Sequence, residues 1–216
     1  METIDFIKLI SIWAIPSVYA ITMHEAAHGY VAKILGDKSA YMVGRTSINP
    51  FRHVDILGTF LVPILTLLVS GNIFGWAKPM PINEYAVKYG KKGLILVFIS
   101  GPLANLIMAI FWAFILKLSL FLKLNGINQY FILTLVANAG IKVNIIIGIL
   151  NLIPIPPLDG GKIVSLLLPK RIAFFYNKLE SIGFIILLGL LISGVLIMII
   201  GPIMGLVNNV IVQNII

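Results

Sequence analysis

The amino-acid sequence predicts an all-α polytopic membrane protein that forms a single domain. Three observations support this prediction: 59% of the 216 residues are hydrophobic, only 11% are charged, and apolar runs recur along the whole chain. A soluble domain carries about a quarter charged residues. Because the membrane character continues from one end of the chain to the other, we assign residues 1–216 to one integral membrane domain.

The first apolar stretch runs from about Phe6 to Leu35 and is long enough to span a bilayer. A spanning helix needs roughly 20 mostly apolar residues. The stretch ends at Gly36-Asp37, a typical stop signal for a helix. Glu2 and Asp5 make the N-terminus acidic, whereas a secretory signal begins with positive charge. We therefore expect this helix to remain in the mature protein.

The next stretch, about residues 36–92, forms an insert before the second strong apolar run. Ala40–Val43 predicts a short strand, and an apolar run of about residues 56–70 contains Pro63 and is short for a full crossing. If this run enters the bilayer and turns back, 12 Lys and Arg residues share one side and 3 lie opposite. The positive-inside rule then favours a re-entrant segment, an external N-terminus and cytosolic basic loops.

Three later apolar runs, about residues 94–122, 130–152 and 182–200, predict further helices. Three prolines, Pro154, Pro156 and Pro157, end the middle run, because each removes a backbone hydrogen-bond donor. Together with the first stretch, these runs give predicted helical regions over about residues 6–35, 94–122 and 130–162. C-terminal helices follow over about residues 180–216.

The formal charge is +8, and its Lys and Arg residues lie mainly in the loops, where they are expected to set the orientation of the protein in the membrane. We expect no nucleic-acid partner, because no basic stretch is interleaved with aromatic residues that could stack on bases. Cysteine is absent from the chain, so disulfides and thiolate metal ligands are excluded. The oligomeric state stays open.

The first helix carries the sequence His24-Glu25-Ala26-Ala27-His28, which is an H-E-x-x-H pattern. Residues four apart lie on one face of a helix, so His24 and His28 can bind one metal ion. Glu25 is then placed as a general base in the mechanism attached to this pattern. An acid near the centre of a bilayer costs roughly 2.5–3.5 kcal/mol, and packing alone would not retain it. The pattern therefore predicts a zinc site.

A catalytic zinc site needs a third protein ligand, and Asp159 is the candidate. It follows the proline-rich segment and precedes Gly160-Gly161, which permit tight backbone turns. Alternatively, Asp159 caps the N-terminus of a helix starting near Lys162, a role that aspartate fills well.

Several other polar residues are secondary candidates. Asn151 and Asn105 could orient a substrate or stabilise an oxyanion, or they could hydrogen-bond between helices. His53 could ligate, gate, or contact water at the membrane interface. Lys142, midway along a span, could snorkel to an interface, pair with an acid, or touch a substrate terminus.

Three blocks together resemble the site-2 protease family of intramembrane zinc metalloproteases, in its compact prokaryotic form without a PDZ domain. They are His24 to His28, Gly101-Pro102-Leu103-Ala104-Asn105, and Asn151 to Gly160. The resemblance implies that His24, His28 and Asp159 bind Zn²⁺ and that Glu25 is the catalytic base. It also implies a three-helix catalytic core and an active site within a prokaryotic cell membrane, near its cytosolic side.

We therefore predict a zinc endopeptidase that cleaves membrane proteins in or near their transmembrane segments. Such a site must bind its substrate in extended form, and Ala40–Val43 or Trp76–Pro81 could offer a strand edge for it. One alternative is a divalent-metal transporter, which also uses intramembrane His and acidic residues. Another is a catalytically silent adaptor with a structural metal site.

Overall fold

A computed structural model describes residues 3–53, 80–125 and 130–215 of the chain. Within these ranges every regular element is a helix, which confirms the predicted all-α class for the described residues. The α-helices are α1 (Thr3–Ile34), α2 (Ser39–Met42), α3 (Lys91–Leu124), α4 (Tyr130–Leu152), α5 (Asp159–Leu167), α6 (Lys170–Lys178), α7 (Glu180–Ile192) and α8 (Val195–Ile215). A 3₁₀ turn covers Pro50–Arg52.

Two helices, α3 and α4, are long and apolar enough to cross a membrane by themselves. Helices α6 and α7 meet at a bend of 58° and would make a third crossing if they act as one span. Helix α1 has 32 residues, and the part of it whose side chains the structure describes, residues 10–34, is not among these candidates.

The three longest helices, α1, α3 and α4, pack against one another in pairs, while α5 contacts α3 and α4. One apolar cluster, which includes Trp112 of α3 and Ile141 of α4, joins these helices to α8. A second cluster joins the end of α1 to the start of α3 through Ala32, Val97 and Phe98. Side chains of the site described below project from α1 and α5.

The segment between α1 and α3 departs from one prediction. Ala40–Val43 was expected to be a strand, but Ser39–Met42 is helix α2 and Val43 follows in a turn. The physical reason lies at Asp37, whose Oδ1 accepts a hydrogen bond from the Ser39 amide at 2.9 Å and turns the chain. Such a short apolar run does not distinguish strand from helix. The predicted re-entrant run lies in residues 54–79, outside the described ranges.

Asp37 also ties the end of α1 to the chain that leads into α3. Its carboxylate is 1% exposed, and Oδ2 accepts a hydrogen bond from the Asn83 amide at 2.7 Å. The amide of Lys88 donates to the Leu35 carbonyl at 2.7 Å. Burial by itself would raise the pKa of Asp37, but hydrogen bonds from Ser39 and Asn83 hold that pKa below its ordinary value.

Two helix boundaries in the C-terminal half also differ from the predictions. The helix expected near Lys162 begins at Asp159, and an additional short helix, α6, covers Lys170–Lys178. The apolar run expected over about 182–200 is interrupted at Gly194, whose φ of 75° lies in the left-handed region. Glycine adopts this conformation without the steric penalty of a side chain. Helices α7 and α8 are therefore separate.

Candidate metal centre

The two histidines of α1 lie one helical turn apart and face the same side. Their ring centroids are 4.7 Å apart, with the rings nearly perpendicular, and the two Nε2 atoms are 3.1 Å apart. Both side chains are buried. The helical spacing predicted this convergence, and the structure brings His24 and His28 together.

Asp159 is the first residue of α5, and its carboxylate points at the two imidazoles. Its Oδ2 lies 3.1 Å from Nε2 of His24 and 3.1 Å from Nε2 of His28. The N-cap position of α5 belongs to Leu158, so the alternative role of Asp159 as an N-cap is not supported. Helices α1 and α5, which are far apart in the sequence, therefore meet at three ligand atoms.

The partners of the other ring nitrogens settle where each imidazole carries its proton. Nδ1 of His28 lies 2.7 Å from the Val97 carbonyl oxygen, which can only accept, so this nitrogen donates. Nδ1 of His24 lies 2.7 Å from Oδ1 of Asn105. The Asn105 amide nitrogen donates to the Ala20 carbonyl at 3.0 Å, which orients the amide with its oxygen toward His24. A singly protonated ring at either position therefore carries its proton on Nδ1 and leaves Nε2 available as a donor atom for a metal ion.

Nε2 of His24, Nε2 of His28 and Oδ2 of Asp159 therefore face one another in a buried place. They form a triangle in which each atom is 3.1 Å from the other two. Lone pairs at this distance repel unless a proton or a metal ion lies between them. In a tetrahedral zinc site with bonds of about 2.0–2.1 Å, neighbouring ligand atoms are about 3.3 Å apart. Histidines that bind metal usually donate their other N–H to a carbonyl or similar acceptor, as both do here. The donor set therefore fits a zinc ion.

The number of donors is also informative. Among the residues that the structure describes, the group able to hold a metal ion consists of His24, His28 and Asp159. Catalytic zinc sites use three protein ligands and keep the fourth position for water or substrate, whereas structural sites are closed by four. A group of three is thus typical of a catalytic centre.

Gly101 of α3 provides the space in which the imidazoles lie. A Cβ atom at this position would overlap Nε2 of His28 and would lie 2.7 Å from Cε1 of His24. Real Cβ atoms do not make such contacts, so only glycine fits. The sequence marked Gly101 as part of a family block, but the reason for it depends on which helix lies across from α1.

The chain segment that carries Asp159 is held from two sides. The Tyr176 hydroxyl of α6 donates to the Pro154 carbonyl at 2.8 Å. Gly183 of α7 lies so close to the Pro156 carbonyl that a side chain there would overlap it. A side chain at Gly160 would likewise overlap the Leu152 carbonyl. Helices α6 and α7, which lie outside the predicted core, therefore help to position a candidate ligand.

A cavity of about 560 Å³ opens beside the three donors. Glu25 is half-buried and lines it together with His24, His28 and Asp159. The rest of the wall is mostly apolar and includes Ile21, Ile147, Leu150, Phe184 and Leu187. The predicted base, the predicted ligands and an apolar space large enough for peptide side chains thus adjoin.

The two secondary asparagines occupy different places. Asn151 lines the cavity, and its amide nitrogen donates to the Ile147 carbonyl at 3.0 Å. Asn105 is 0% exposed and contacts His24 from behind the ring. The predicted substrate or oxyanion role of both residues stays a prediction. Asn105 nevertheless has a partner that sequence reasoning missed, since nothing in the spacing pairs it with His24.

His53 and Lys142 lie apart from the donor group. His53 is 2% exposed, and its Nε2 donates to the Ser47 carbonyl at 2.8 Å. The expected contact of His53 with water is therefore wrong: the ring is enclosed and binds backbone. Lys142 is exposed on the surface of α4.

Comparison with known proteins gives two matches. The sequence model of the family described as Peptidase family M50 matches residues 125–194, which include α4, the proline-rich segment and Asp159. A protein of Bacillus subtilis (strain 168), named "Putative zinc metalloprotease YwhC", is 36% identical over 194 residues. That alignment covers 87% of this chain and 83% of the relative. No solved structure matches the chain.

Proposed function

The chain belongs to peptidase family M50, the site-2 protease family, and from this membership we propose that it is a zinc endopeptidase acting in or near transmembrane segments of other membrane proteins. The observation that carries the proposal is the triangle of three buried ligand atoms beside Glu25. His24, His28 and Asp159 would hold the ion, and the 3.1 Å edges support this assignment. The metal is proposed to be zinc because the relative is named for zinc.

Bound zinc would supply a Lewis acid and lower the pKa of water toward about 7. Glu25 accepts the proton of the attacking water at its carboxylate. As the peptide C–N bond breaks, Glu25 passes that proton to the amine nitrogen of the leaving group. Cleavage gives a carboxylic acid and an amine, and transfer of the acid's proton to the amine leaves a carboxylate and an ammonium group, so atoms and charge balance. Asn105 and the Val97 carbonyl keep the two imidazoles oriented meanwhile.

The substrates are proposed to be apolar, extended peptide segments. Mostly apolar residues line the cavity, which suits side chains from a membrane segment. A helical segment would have to unwind first, because its carbonyls are hydrogen-bonded within the helix. Since Ala40–Val43 is not a strand, Trp76–Pro81 stays as the other predicted edge, although its residues 76–79 lie outside the described ranges. Met80 and Ile82, two residues apart in a stretch without helix, both line the cavity, which supports this choice.

We further propose that the chain is a multi-pass protein of a prokaryotic cell membrane with its active site near the cytosolic side. The helices α3 and α4 support a membrane location. If the run of about residues 56–70 is re-entrant, 12 Lys and Arg residues lie on one side against 3 on the other, which supports the orientation.

A divalent-metal transporter is the second candidate, and the structure favours it less. Transport would need a series of ligands along a path through the facing helices. Within the described residues, the candidate metal ligands form the one group of His24, His28 and Asp159. An adaptor with a purely structural metal site is also less favoured, since this group holds three donors rather than four.

The proposal is tested with the purified full chain, its zinc content measured by mass spectrometry, and a transmembrane peptide reporter. Glu25→Gln should keep zinc and lose cleavage by at least about 100-fold, since general-base catalysis contributes 10²–10⁴-fold. Glu84→Gln, which changes an exposed carboxylate, is the control and should keep both. Zinc uptake into vesicles without peptide cleavage by the wild type would reject the protease in favour of the transporter.

A further inference from the structure

Two asparagines, Asn105 of α3 and Asn144 of α4, form a hydrogen-bonded chain that ends on His24. Both are 0% exposed, although buried amides are costly unless every polar atom has a partner. The Asn105 amide nitrogen donates to Oδ1 of Asn144 at 3.1 Å. Asn144 in turn donates to the Gly140 carbonyl at 2.9 Å. The chain of bonds thus connects α1, α3 and α4.

Two backbone carbonyls give this chain of bonds a single direction. The Gly140 carbonyl can only accept, so the Asn144 nitrogen faces it and the Asn144 oxygen faces Asn105. The Ala20 carbonyl likewise holds the Asn105 nitrogen. The Asn105 oxygen is left facing Nδ1 of His24 at 2.7 Å. If either amide were reversed, two donors or two acceptors would face each other.

The direction matters because it selects one tautomer of His24. An imidazole protonated at Nε2 would turn a lone pair toward the Asn105 oxygen and an N–H toward His28 and Asp159. The bond from Asn105 excludes that arrangement and leaves Nε2 free to bind metal. His28 receives the same constraint from the Val97 carbonyl, a backbone group. The tautomer of His24, in contrast to that of His28, is therefore held by side chains.

We propose that Asn144, acting through Asn105, is a positioning residue that fixes the tautomer and ring orientation of His24 and thereby the affinity for zinc. The inference rests on the metal site of the proposed function. Asn144 is not among the residues that line the cavity within the described part of the chain. It therefore acts at a distance from any substrate. Loss of such an outer contact typically lowers metal affinity 10–100-fold.

Helix α4 offers a matched control. Asn138 also donates its amide to the carbonyl four residues earlier, at Thr134, with a distance of 2.8 Å. Asn138 and Asn144 thus make the same local bond, and Asn144 in addition accepts a hydrogen bond from Asn105. Replacing either residue by leucine removes a similar amide from the same helix, and only one replacement interrupts the path to His24.

The experiment uses the full chain in detergent with two measurements. Chelator competition gives zinc affinity, and ¹⁵N-histidine NMR of the metal-free protein reports the tautomer. The chain has only three histidines, so the signals can be assigned by substitution. Asn144→Leu should weaken zinc binding 10–100-fold and shift His24 from the Nδ1–H form to a mixture. Asn138→Leu should leave both unchanged.

Two further variants keep the proposal falsifiable if Asn144→Leu does not fold. Asn105→Ala removes the oxygen that His24 Nδ1 faces and should lose the Nδ1–H form of His24. Asn144→Ala removes the oxygen that holds Asn105 and should change the tautomer in the same direction. Wild-type affinity and tautomer in Asn144→Leu, Asn144→Ala or Asn105→Ala would overturn the proposal. Failure of the wild type to bind zinc would instead reject the proposed function, because the tautomer is read without metal.

Discussion

Gly101 of α3 lies against the imidazole of His28 on α1, at a distance that leaves no room for a side chain. Gly101→Ala should therefore push the ring out of place and lower both zinc content and cleavage. Gly189→Ala in α7 is the matched control, since no atom lies within 4 Å of its added Cβ. That change should preserve both quantities, because alanine in a helix is favoured over glycine by about 1 kcal/mol. Equal zinc content in the two variants would contradict the close packing.

Removal of the candidate ligand from α5 gives a second prediction. Asp159→Ala should lose stoichiometric zinc and reduce cleavage to the uncatalysed background, because two histidines leave the ion without a third protein ligand. Zinc content by mass spectrometry and reporter cleavage measure the two effects. In the wild type, a strong chelator should abolish cleavage and added zinc should restore it. Full zinc occupancy in Asp159→Ala would remove this residue from the ligand set.

The buried carboxylate of Asp37 predicts a pH-dependent contribution to stability. Hydrogen bonds hold its folded-state pKa below the ordinary value, so its stabilisation is complete above the unfolded pKa of about 3.9. That stabilisation is lost as pH falls through the lower, folded pKa. Asp37→Asn keeps one acceptor oxygen and should lower the free energy of unfolding by about 1–3 kcal/mol at neutral pH.

Thermal unfolding in detergent at pH 7, 5 and 3 checks this prediction. The difference between wild type and Asp37→Asn should be similar at pH 7 and 5 and should shrink at pH 3. Glu84→Gln, which changes an exposed acid on the same connecting segment, should show little difference throughout. A gap between wild type and Asp37→Asn that widens on acidification would refute the assigned direction of the pKa shift.

Loss of the hydrogen bond from Tyr176 to the proline-rich segment should have a smaller effect on zinc affinity than loss of Asp159. Tyr176→Phe keeps the ring and removes the donor to the Pro154 carbonyl, at a cost of about 1 kcal/mol. If this whole free-energy loss opposes the placement of Asp159 at the metal, zinc affinity should fall about fivefold. Chelator competition measures it, with Tyr85→Phe as the control because Tyr85 is fully exposed. An unchanged affinity would show that α6 does not hold the ligand in place.

Local sequence patterns predicted much of the metal centre. The spacing of His24 and His28 places them on one helical face whatever surrounds the helix. Asp159 could be found because prolines and glycines isolate a single acid in an apolar region. The role of Gly101 and the partners of Asn105 could not be found in this way. Both depend on the side-by-side placement of α1, α3 and α4, and helical periodicity does not report which helices become neighbours.

The strand predicted at Ala40–Val43 failed for a related reason. Its four apolar or aromatic residues fit a strand and a helical turn equally well. The outcome was decided by Asp37, which accepts the Ser39 amide and closes a turn. Asp37 had been interpreted only as the end of the preceding helix. A polar residue that ends one element can thus also start the next.

The separation of the ligands along the chain has a consequence for biosynthesis. His28 and Asp159 are 131 positions apart, and ribosomes add about 5–20 residues per second. For on the order of ten seconds, a growing chain therefore carries both imidazoles and Glu25 without the carboxylate that completes the set. We expect the nascent protein to be harmless to other membrane segments that emerge beside it, until α5 has been made and has packed against α3 and α4.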